Sequence, residues 1–332
     1  MTDCIRLAHG SGGRLTHRLI RDIFRRHFGD DVPLDDSFIA RSPGERIAVT
    51  TDAYVVDPIF FPGGDIGRLA VSGTVNDLAV QGAMPVYIAV AFVLEEGLPL
   101  NELEQVVQSM AATCAGVGAR IVAGDTKVVP RGKGDRLFVA TSGLGVVLSP
   151  WPLSGANARA GDVVLVSGPV GEHEMAILVS RSGIELGGEF RSDVAPVLDL
   201  ARALWESCEV HAMRDPTRGG LATALNEIAR QSQVAIEVDE GQVPVRSEIL
   251  GACELLGFDP LYLACEGRLI AVVPEAEAER ALSVMRSQPL GRDAAVIGRV
   301  LPEPKGRVYL RTSVGGRRIL DLLSGEQLPR IC

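Results

Sequence analysis

The sequence predicts an α/β protein built from two domains. Two domains are expected from a chain of 332 residues, because each half is long enough to bury a hydrophobic core of its own. Apolar residues recur alternately at helix and strand spacing along both halves, which is typical of layered α/β folds. Between the halves, the segment Pro150-Trp151-Pro152 and Gly155 interrupt the pattern. We therefore place a domain boundary near residue 150.

A glycine-rich segment, His9-Gly10-Ser11-Gly12-Gly13, opens the first half and leads into an amphipathic helix that Gly29 can end. A glycine loop before a helix presents free backbone N–H groups and the positive end of the helix dipole, which suits phosphate. It is not a Walker loop, because no Lys-Ser/Thr pair follows. Taken alone, the segment is interpreted equally well as a plain surface loop.

Further strands and helices alternate along the chain. In the first half, the pattern predicts strands over residues 46–51, 86–94, 120–123 and 136–148, and helices over 65–82 and 99–117. In the second half, it predicts strands over 162–167, 234–238, 268–273 and 294–300, and helices over 172–182, 194–207, 221–231, 246–256 and 275–287. The predicted divisions are a glycine-rich loop and helix (1–35), an N-terminal domain (36–150), a C-terminal α/β domain (151–312) and a mobile tail (313–332).

The composition indicates a globular protein without a polyanionic partner. Charged residues make up 23% of the chain and hydrophobic residues 46%, with a net charge of −9. No basic cluster is longer than Arg25-Arg26-His27, so we expect no binding to nucleic acid. An acidic protein that binds ATP needs Mg²⁺ to offset charge repulsion. We see no leader pattern or membrane-spanning run, and we expect a cytoplasmic protein without membrane contact.

The six cysteines, at positions 4, 114, 208, 253, 265 and 332, form no CxxC pair. This spacing fits neither a zinc site nor a disulfide framework. We expect Cys114, Cys208, Cys253 and Cys265, which lie among apolar residues, to fill the core as free thiols.

Four aspartates lie at predicted element ends or beside glycine, in the segments Thr50-Thr51-Asp52, Asn76-Asp77, Gly124-Asp125 and Asp215-Pro216. Mg²⁺ prefers oxygen ligands and often bridges one or two carboxylates to phosphate oxygens. Carboxylates from several strand ends therefore suit a magnesium–nucleotide site, to which Asp36 is a further candidate ligand. The alternative gives each aspartate a local task, such as starting a turn or accepting hydrogen bonds from turn amides.

Two further side chains suit phosphoryl and proton transfer. Lys127, in Gly124-Asp125-Thr126-Lys127, is a cation for a γ-phosphate, or else a solvated turn lysine. Glu266 lies between an apolar segment and a predicted strand, where burial can raise its pKa and make it a base. It can equally pair with Arg268.

The chain ends in Pro329-Arg330-Ile331-Cys332, where the thiol is the only strong nucleophile. The residues from Ser324 onward show no hydrophobic period, so an extended tail could carry Cys332 over roughly 25 Å. Such an arm can visit a second protein and return to a site on its own chain. The alternative is a frayed terminus that happens to end in cysteine.

Four segments resemble the aminoimidazole ribonucleotide synthetase superfamily, whose members use ATP to activate an oxygen or selenium acceptor. They are residues 71–79 (VSGTVNDLA), 82–85 (GAMP), 124–129 (GDTKVV) and 215–220 (DPTRGG). With the terminal cysteine, the resemblance narrows to the carbamoyl dehydratases that make the cyanide ligands of [NiFe]-hydrogenases. It covers essentially the whole chain.

The resemblance implies a two-domain fold: an N-terminal sheet domain that forms a barrel with a second subunit, and a C-terminal mixed sheet flanked by helices. It implies ATP in the cleft between the domains, and Mg²⁺ on Asp52, Asp77, Asp215 and Asp36. The implied partners are a second copy of the chain, a carbamoyltransferase that loads Cys332, and an iron-carrying maturation scaffold that accepts cyanide. The implied nucleotide contacts are Gly10, Ser11, Gly12, Gly13, Asp52, Asn76, Asp77, Asp125, Thr126, Lys127, Asp215, Thr217, Arg218, Gly219 and Gly220.

In the implied reaction, Cys332 carries a carbamoyl group that ATP activates and Glu266, as base, helps to dehydrate, while Lys127 steadies the transferring phosphoryl group. Two alternatives stay open at this point. One is a phosphotransferase of the same superfamily that acts on selenide, a ribonucleotide or a thiamine ester. The other is a non-catalytic carrier whose tail only docks.

Overall fold

Two β-sheets, one in each half of the chain, organise the fold of the computed structural model, which describes residues 4–11, 13–29, 41–183, 186–323 and 330–332. Helices pack on both sheets, and the chain has the two-domain α/β architecture that the sequence predicted. Within the described residues, no helix is both long and apolar enough to cross a membrane. The four cysteines expected in the core are buried free thiols there.

The first domain contains a mixed four-stranded sheet. Its strands follow the order β1-β6-β4-β5, in which only the β4–β5 pair is parallel. A short β2–β3 hairpin precedes helix α3. The elements are α1 (Arg14–Leu19), extended by a π-helical turn (Ile20–Arg25) and α2 (Arg26–Phe28), then β1 (Ile47–Tyr54), β2 (Phe60–Phe61), β3 (Gly64–Asp65), α3 (Ile66–Val80), β4 (Ala83–Glu95), α4 (Leu100–Val117), β5 (Arg120–Val129) and β6 (Leu137–Val147).

The second domain contains a seven-stranded sheet of order β13-β12-β9-β11-β7-β10-β8, in which the β9–β12 pair is parallel. Its elements are β7 (Val163–Val166), α5 (Glu172–Ser182), α6 (Leu198–Ser207), β8 (Ala212–Arg214), α7 (Gly220–Ser232), β9 (Ala235–Asp239), α8 (Ser247–Leu256), β10 (Ile270–Val273), α9 (Ala278–Ser287), β11 (Ala295–Leu301), β12 (Arg307–Arg311) and β13 (Arg317–Ile319).

The sequence missed three strands of this second sheet: β8, β12 and β13. Each has only three to five residues and includes at least one arginine, so it lacks the continuous apolar run that marks β7 (VVLV) and β10 (IAVV). The prediction ended the second domain at residue 312 and began the tail there. In the structure, β13 pairs with β12, so the sheet continues past that boundary.

Helix α3 lies between the two domains and is buried on nearly every side. Thirteen of its 15 residues are buried, most of them small or apolar. It packs on the first sheet and α4, and also on α6 and β8 of the second domain. Asp65 caps its N-terminus by accepting from Gly67 N at 2.7 Å and Arg68 N at 3.1 Å. Side chains near the end of α3 therefore lie where the domains meet.

The contact between α3 and α4 yields a stability test at Gly67. A Cβ atom added there would lie 2.4 Å from Val106 O, a backbone atom that cannot move aside cheaply. We expect Gly67→Ala to lower the free energy of unfolding by about 1–3 kcal/mol, the usual cost of overpacking. Urea denaturation followed by circular dichroism measures this.

The matched control is Gly116→Ala, in α4, where nothing lies within 4 Å of the added Cβ. This variant should be neutral or more stable by up to about 1 kcal/mol, because alanine has the higher helix propensity. Equal effects of the two substitutions would contradict the packing that the structure shows between these helices.

Candidate active site

Three carboxylates, here called the acidic cluster, lie where the domains face each other: Asp52, Asp77 and Asp215. Asp52 belongs to β1, Asp77 to the last turn of α3, and Asp215 directly follows β8. The charge of Asp77 acts on both of the others. The structure thus brings together three of the four side chains that were expected to hold Mg²⁺. The fourth, Asp36, lies outside the described residues.

Neighbouring hydroxyl groups hold two of these carboxylates in place. Thr50 Oγ1 donates to Asp77 Oδ2 at 2.6 Å, and Tyr54 Oη donates to Asp52 Oδ2 at 3.3 Å. The Tyr54 ring lies close against α3 because Gly73 has no side chain; a Cβ atom there would lie 2.3 Å from Tyr54 Oη. Tyr54 belongs to the site although the sequence did not single it out.

The carboxylates of the acidic cluster have too little positive charge near them to be neutralised. Burial raises the pKa of Asp52 to about 6 and that of Asp215 to about 7, and the negative charge of Asp77 is the next cause for both. Among the residues that the structure describes, no three His, Cys, Asp or Glu side chains are arranged to hold a metal ion by themselves. A hydrated cation on one or two carboxylates, completed by phosphate oxygens, would relieve this repulsion. The donor set therefore fits a magnesium–nucleotide complex.

Asp52 and Asp125 were expected just beyond the ends of predicted strands, and this expectation was wrong. β1 continues beyond Asp52 to Tyr54, and β5 runs through Asp125 to Val129. Pairing with β6 and β4 satisfies the backbone of both segments, and this tertiary pairing outweighs the local preference of aspartate for turns.

Glu266 is a buried carboxyl group beside the acidic cluster. It is 2% exposed, and its Oε1 has no hydrogen-bond partner among the described residues. Burial, and then the charges of Asp215 and Asp193, raise its pKa well above the usual range. The N–H groups of Glu266 and Gly267 donate to the Asp193 carboxylate at 3.1 and 3.2 Å. The loop that carries Glu266 is therefore fixed while its side chain keeps a free oxygen.

Arg268 does not neutralise Glu266. Its guanidinium group pairs with Glu172 and lies 3.5 Å from Asp193 Oδ2. The alternative of a Glu266–Arg268 pair is therefore not what the structure has, and Glu266 fits a role in proton transfer.

The end of the tail, Arg330–Cys332, is docked against this site through its main chain. A main-chain oxygen of each of its residues accepts a hydrogen bond: Arg330 O from Asp57 N at 3.4 Å and Arg181 Nη2 at 2.5 Å, Ile331 O from His173 Nε2 at 2.6 Å, and Cys332 O from Val55 N at 2.9 Å. Ile331 is buried in the main hydrophobic core. The terminus is thus held by specific contacts rather than frayed.

The docked Cys332 thiol is kept protonated. Burial raises its pKa to about 12, the negative charge of Glu266 adds to the rise, and Arg218 opposes it. A protonated thiol is a poor nucleophile. Attack by this sulfur on an outside group therefore belongs to the undocked tail, and the docked position suits chemistry on a group that the sulfur already carries.

The Arg330 side chain anchors the tail. Its Nε donates to Val55 O at 2.9 Å, its guanidinium group pairs with Asp135, and it lies 5.8 Å from the centre of the Phe138 ring. The Arg330 backbone has φ of 58°, a left-handed conformation that is uncommon outside glycine.

Asp125 and Lys127 lie on the opposite face of the first sheet from Asp52. The register aligns Asp52 with Gly124 across β6 and β4, so that the residues next to Gly124 point to the other face. β1 and β5 are also opposite edges, three strand spacings or about 14 Å apart. Lys127 Nζ pairs with Asp125 Oδ2 at 2.7 Å, and both side chains are about two-thirds exposed (65% and 63%). Within one chain, these residues and the adjacent Thr126 do not join the acidic cluster.

The glycine-rich segment lies beside β5. A Cβ atom on Gly10 would be 2.7 Å from Val128 N, so the close contact requires glycine. Of the other predicted phosphate-binding members, Ser11 is exposed and Gly13 precedes α1. Gly12 lies outside the described residues. The segment therefore lies close to β5, the strand that carries Lys127, rather than close to the acidic cluster.

The turn from the acidic cluster into α7 requires glycine twice. Gly219 and Gly220 have φ of 75° and 58°, and a Cβ atom on Gly220 would lie 2.5 Å from Leu263 O. Thr217 N donates to Asp215 O at 3.0 Å, which tightens the start of the turn.

This turn presents Arg218 to the site. Its positive charge lowers the pKa of both Asp52 and Cys332, so it lies within electrostatic reach of the acidic cluster and of the docked thiol. It is exposed and can also meet a phosphate group.

Asn76 has a structural task. Its Nδ2 donates to Ala195 O at 3.1 Å and Glu266 O at 3.3 Å, while Val197 N donates to its Oδ1 at 2.7 Å. The side chain is 1% exposed and both of its polar atoms are engaged. Asn76 therefore helps to hold the domains together, and the nucleotide contact that the resemblance implied stays a prediction.

Three other residues of the site were also missed from the sequence: His173, Arg181 and Asp193. The available signal was the run Glu172-His173-Glu174, three polar residues that open an otherwise apolar helical pattern and prove to be buried. Buried polar groups need partners, so such a run points to a hidden network.

A cavity of about 530 Å³ lies elsewhere, on the sheet of the second domain. Glu237, Asp239 and Arg311 are among its lining residues. The Asp239 carboxylate already pairs with Arg311, and Glu237 with Arg317 at 3.1 Å, so this cavity has less unbalanced charge than the acidic cluster.

The chain matches known proteins over almost its whole length. Residues 34–147 and 159–311 match the N-terminal and C-terminal domains of the AIR synthase related proteins. The chain is 49% identical to the carbamoyl dehydratase HypE of Cupriavidus necator, over 99% of this chain and 95% of that protein.

Solved structures give the same relationship. A crystal structure of the hydrogenase maturation protein HypE in complex with ATP has a TM-score of 0.95 and 48% identity, covering 98% of this chain and 99% of that one. The crystal structure of a HypE–HypF complex has a TM-score of 0.81 and 42% identity, covering 92% of this chain and 99% of that one. The chain therefore belongs to the AIR synthase related family and, within it, to the HypE proteins.

Proposed function

We propose that this chain is an ATP-dependent carbamoyl dehydratase that converts a carbamoyl group on the Cys332 sulfur into a thiocyanate, and so supplies cyanide ligands to the iron of [NiFe]-hydrogenase. The observation that carries this proposal is the C-terminal thiol docked beside the buried Glu266 and the acidic cluster. Relatives named as carbamoyl dehydratases, and a HypE protein solved with ATP, support it.

The chemistry must remove an oxygen atom that is a poor leaving group. Transfer of the γ-phosphoryl group of ATP to the carbamoyl oxygen, with loss of one N–H proton, gives an O-phosphorylated intermediate and ADP. Breaking the C–O bond and removing the second N–H proton then gives phosphate and S–C≡N. Phosphoryl transfer depends mainly on positioning and charge neutralisation, which suits a rigid site of this kind.

Glu266 is the group best placed to take a proton from the carbamoyl nitrogen. Its charge acts directly on the Cys332 thiol, and its Oε1 is unpartnered among the described residues. Because burial raises its pKa, the carboxylate is a strong base once it is ionised. Asp193 holds its backbone, so that the base stays in position.

The acidic cluster would hold Mg²⁺, which supplies charge neutralisation for the nucleotide phosphates when it is bound. Asp52, Asp77 and Asp215 already repel one another in a desolvated site, and a cation offsets that repulsion. Arg218 adds positive charge between this cluster and the docked thiol.

A homodimer would account for the position of Lys127. The outward face of the first sheet exposes the apolar side chains of Ile47 (51%), Val49 (69%) and Val93 (36%), a surface suited to burial against a second copy. Lys127 and Asp125 project from this same face. Dimerisation would carry Lys127 towards the other subunit, where it can neutralise a transferring phosphoryl group.

Two further partners follow from the carrier chemistry. A carbamoyltransferase must load Cys332, and the solved HypE–HypF complex supports a partner of this kind. An iron-carrying maturation scaffold would then accept the cyanide. We also propose that the protein works in the cytoplasm, where free thiols such as its buried cysteines stay reduced.

Replacing the carrier sulfur tests the proposal most directly. Protein carbamoylated at Cys332 should lose the mass of one water on addition of Mg-ATP, as intact mass spectrometry can measure. Cys332→Ala should show no such change while binding ATP normally, because the acidic cluster is untouched. Cys4→Ala, which alters the other half-buried thiol, should behave like the parent. Thiocyanate formation by Cys332→Ala would overturn the assignment, and an unchanged carbamoyl group on the parent would favour a carrier.

Removing the base should slow dehydration without disturbing the fold. We expect Glu266→Gln to lower the rate of water loss by about 100-fold or more. The control is Glu174→Gln: Glu174 is also buried, with its pKa raised by burial to about 7, but it accepts from Ala264 N at 2.8 Å, as a glutamine oxygen also can. Near-parental dehydration by Glu266→Gln would exclude it as the base.

Magnesium should stabilise the chain more at high pH. Because the folded-state pKa values of Asp52 and Asp215 lie above the usual carboxyl range, the folded state binds their protons more tightly, and the apo chain loses stability as pH rises towards about 7. We expect Mg²⁺ with ADP to raise the melting temperature more at pH 8 than at pH 5.5. Asp215→Asn should reduce this difference, whereas the exposed Asp199→Asn should not. Equal shifts at both pH values would argue against cation binding at this cluster.

A further inference from the structure

We propose that His173, oriented by Ser192, is a positioning residue that fastens the C-terminal peptide and keeps the Cys332 sulfur beside Glu266. This inference rests on the proposed function, because its purpose is to hold a loaded sulfur during dehydration. The docking contact itself can be measured without any turnover.

The hydrogen bonds around His173 determine which ring nitrogen carries the proton. Ile331 O can only accept, so His173 Nε2, at 2.6 Å, must donate to it. Nδ1 then accepts from Ser192 Oγ at 2.7 Å. Ser192 Oγ in turn accepts from Val194 N at 3.0 Å, which leaves its own proton for the ring. Ser192 thus selects the tautomer that can bind the tail.

The surroundings keep this histidine neutral and oriented. His173 is fully buried, and burial lowers its pKa to about 4, with the hydrogen bond to Ile331 opposing the shift. The Phe61 ring packs edge-on against the imidazole, with centroids 5.5 Å apart. The ring therefore presents a fixed N–H donor to the tail at any pH where the protein works.

The contact falls at the centre of the docked segment. Asp57 N and Arg181 donate to the preceding main-chain oxygen, of Arg330, and Val55 N donates to the following one, of Cys332. These contacts all use main-chain oxygens of the tail, so they are the same whether the sulfur carries a proton, a carbamoyl group or a nitrile. A site that must hold Cys332 in each of these forms benefits from contacts to the backbone, because the backbone does not change.

Loss of the His173 donor should free the tail without removing any group that acts in the reaction. Ile331 O would be left buried without its donor, and a hydrogen bond of this kind changes an equilibrium by about three- to tenfold. We therefore expect Cys332 to be alkylated about three- to tenfold faster in His173→Ala. Dehydration of carbamoylated protein should slow only slightly, because most of the tail stays docked after such a loss. Loading by the carbamoyltransferase, which uses the undocked tail, should not slow.

Three companion variants separate positioning from general damage. Ser192→Ala does not touch the tail, yet it should raise the alkylation rate, because Nδ1 loses its donor and the ring no longer favours the Nε2–H tautomer. His173→Gln offers an amide N–H in a similar place and should restore part of the docking. His211→Ala removes another buried histidine of the second domain, which bonds to Asp162 and not to the tail, and should leave alkylation unchanged.

The experiment uses the full chain with iodoacetamide in limiting amount, and cleavage after Glu326 to recover the C-terminal peptide for mass spectrometry. Faster alkylation in His173→Ala and Ser192→Ala, with rescue by His173→Gln and parental melting temperatures, supports the proposal. Unchanged alkylation in His173→Ala, or the same increase in His211→Ala, overturns it. If His173→Ala fails to fold, Ser192→Ala and His173→Gln take its place. Faster alkylation in Ser192→Ala than in His173→Gln then supports the proposal, and unchanged alkylation in Ser192→Ala overturns it. A parent chain that shows docking but no dehydration refutes the proposed function and leaves the docking result standing.

Discussion

The burial of α3 between the two domains is the constraint on which the site depends. Polar groups on a buried helix need partners, because an unpaired one costs about as much as a lost hydrogen bond. Asn76 meets this demand with three hydrogen bonds across the domain contact, one of them to the carbonyl of Glu266. One residue further on, Asp77 enters the acidic cluster. The buried amide of Asn76 therefore ties the helix that carries Asp77 to the loop that carries Glu266.

The same exclusion of water decides which groups are charged. The docked thiol and Glu266 both have raised pKa values, so two groups that would repel each other as anions remain neutral side by side. The pKa values of Asp52 and Asp215 are also raised, but these carboxylates line the part of the site that suits a cation. In this arrangement, nucleotide and cation binding would ionise the site when the reaction can proceed, and the empty site would keep its sulfur inert.

The sequence revealed the functional groups that neighbouring residues mark. It missed those whose role depends on contacts with distant parts of the chain. Glu266 and Cys332 were found because burial of a carboxyl group and a terminal thiol are visible in the residues around them. The sequence did not show that Lys127 lies away from the acidic cluster of its own chain, because the face on which it lies depends on the alternation and order of four strands. His173 was missed because its partner lies 158 residues away in the sequence. The two α/β layers followed from periodicity, whereas the strands β8, β12 and β13 did not.

The docked tail also limits how a partner can use it. If each of the three main-chain oxygens held by these hydrogen bonds contributes about 1 kcal/mol net, docking is favoured about a hundredfold, and the free tail is a minor state. A partner that binds only this free segment would lose apparent affinity by the same factor. Contacts between the partner and the body of the chain offset that loss, because they raise the local concentration of the tail at the loading site. The strength of docking therefore calls for a loading partner that recognises a folded surface of this protein in addition to its last residues.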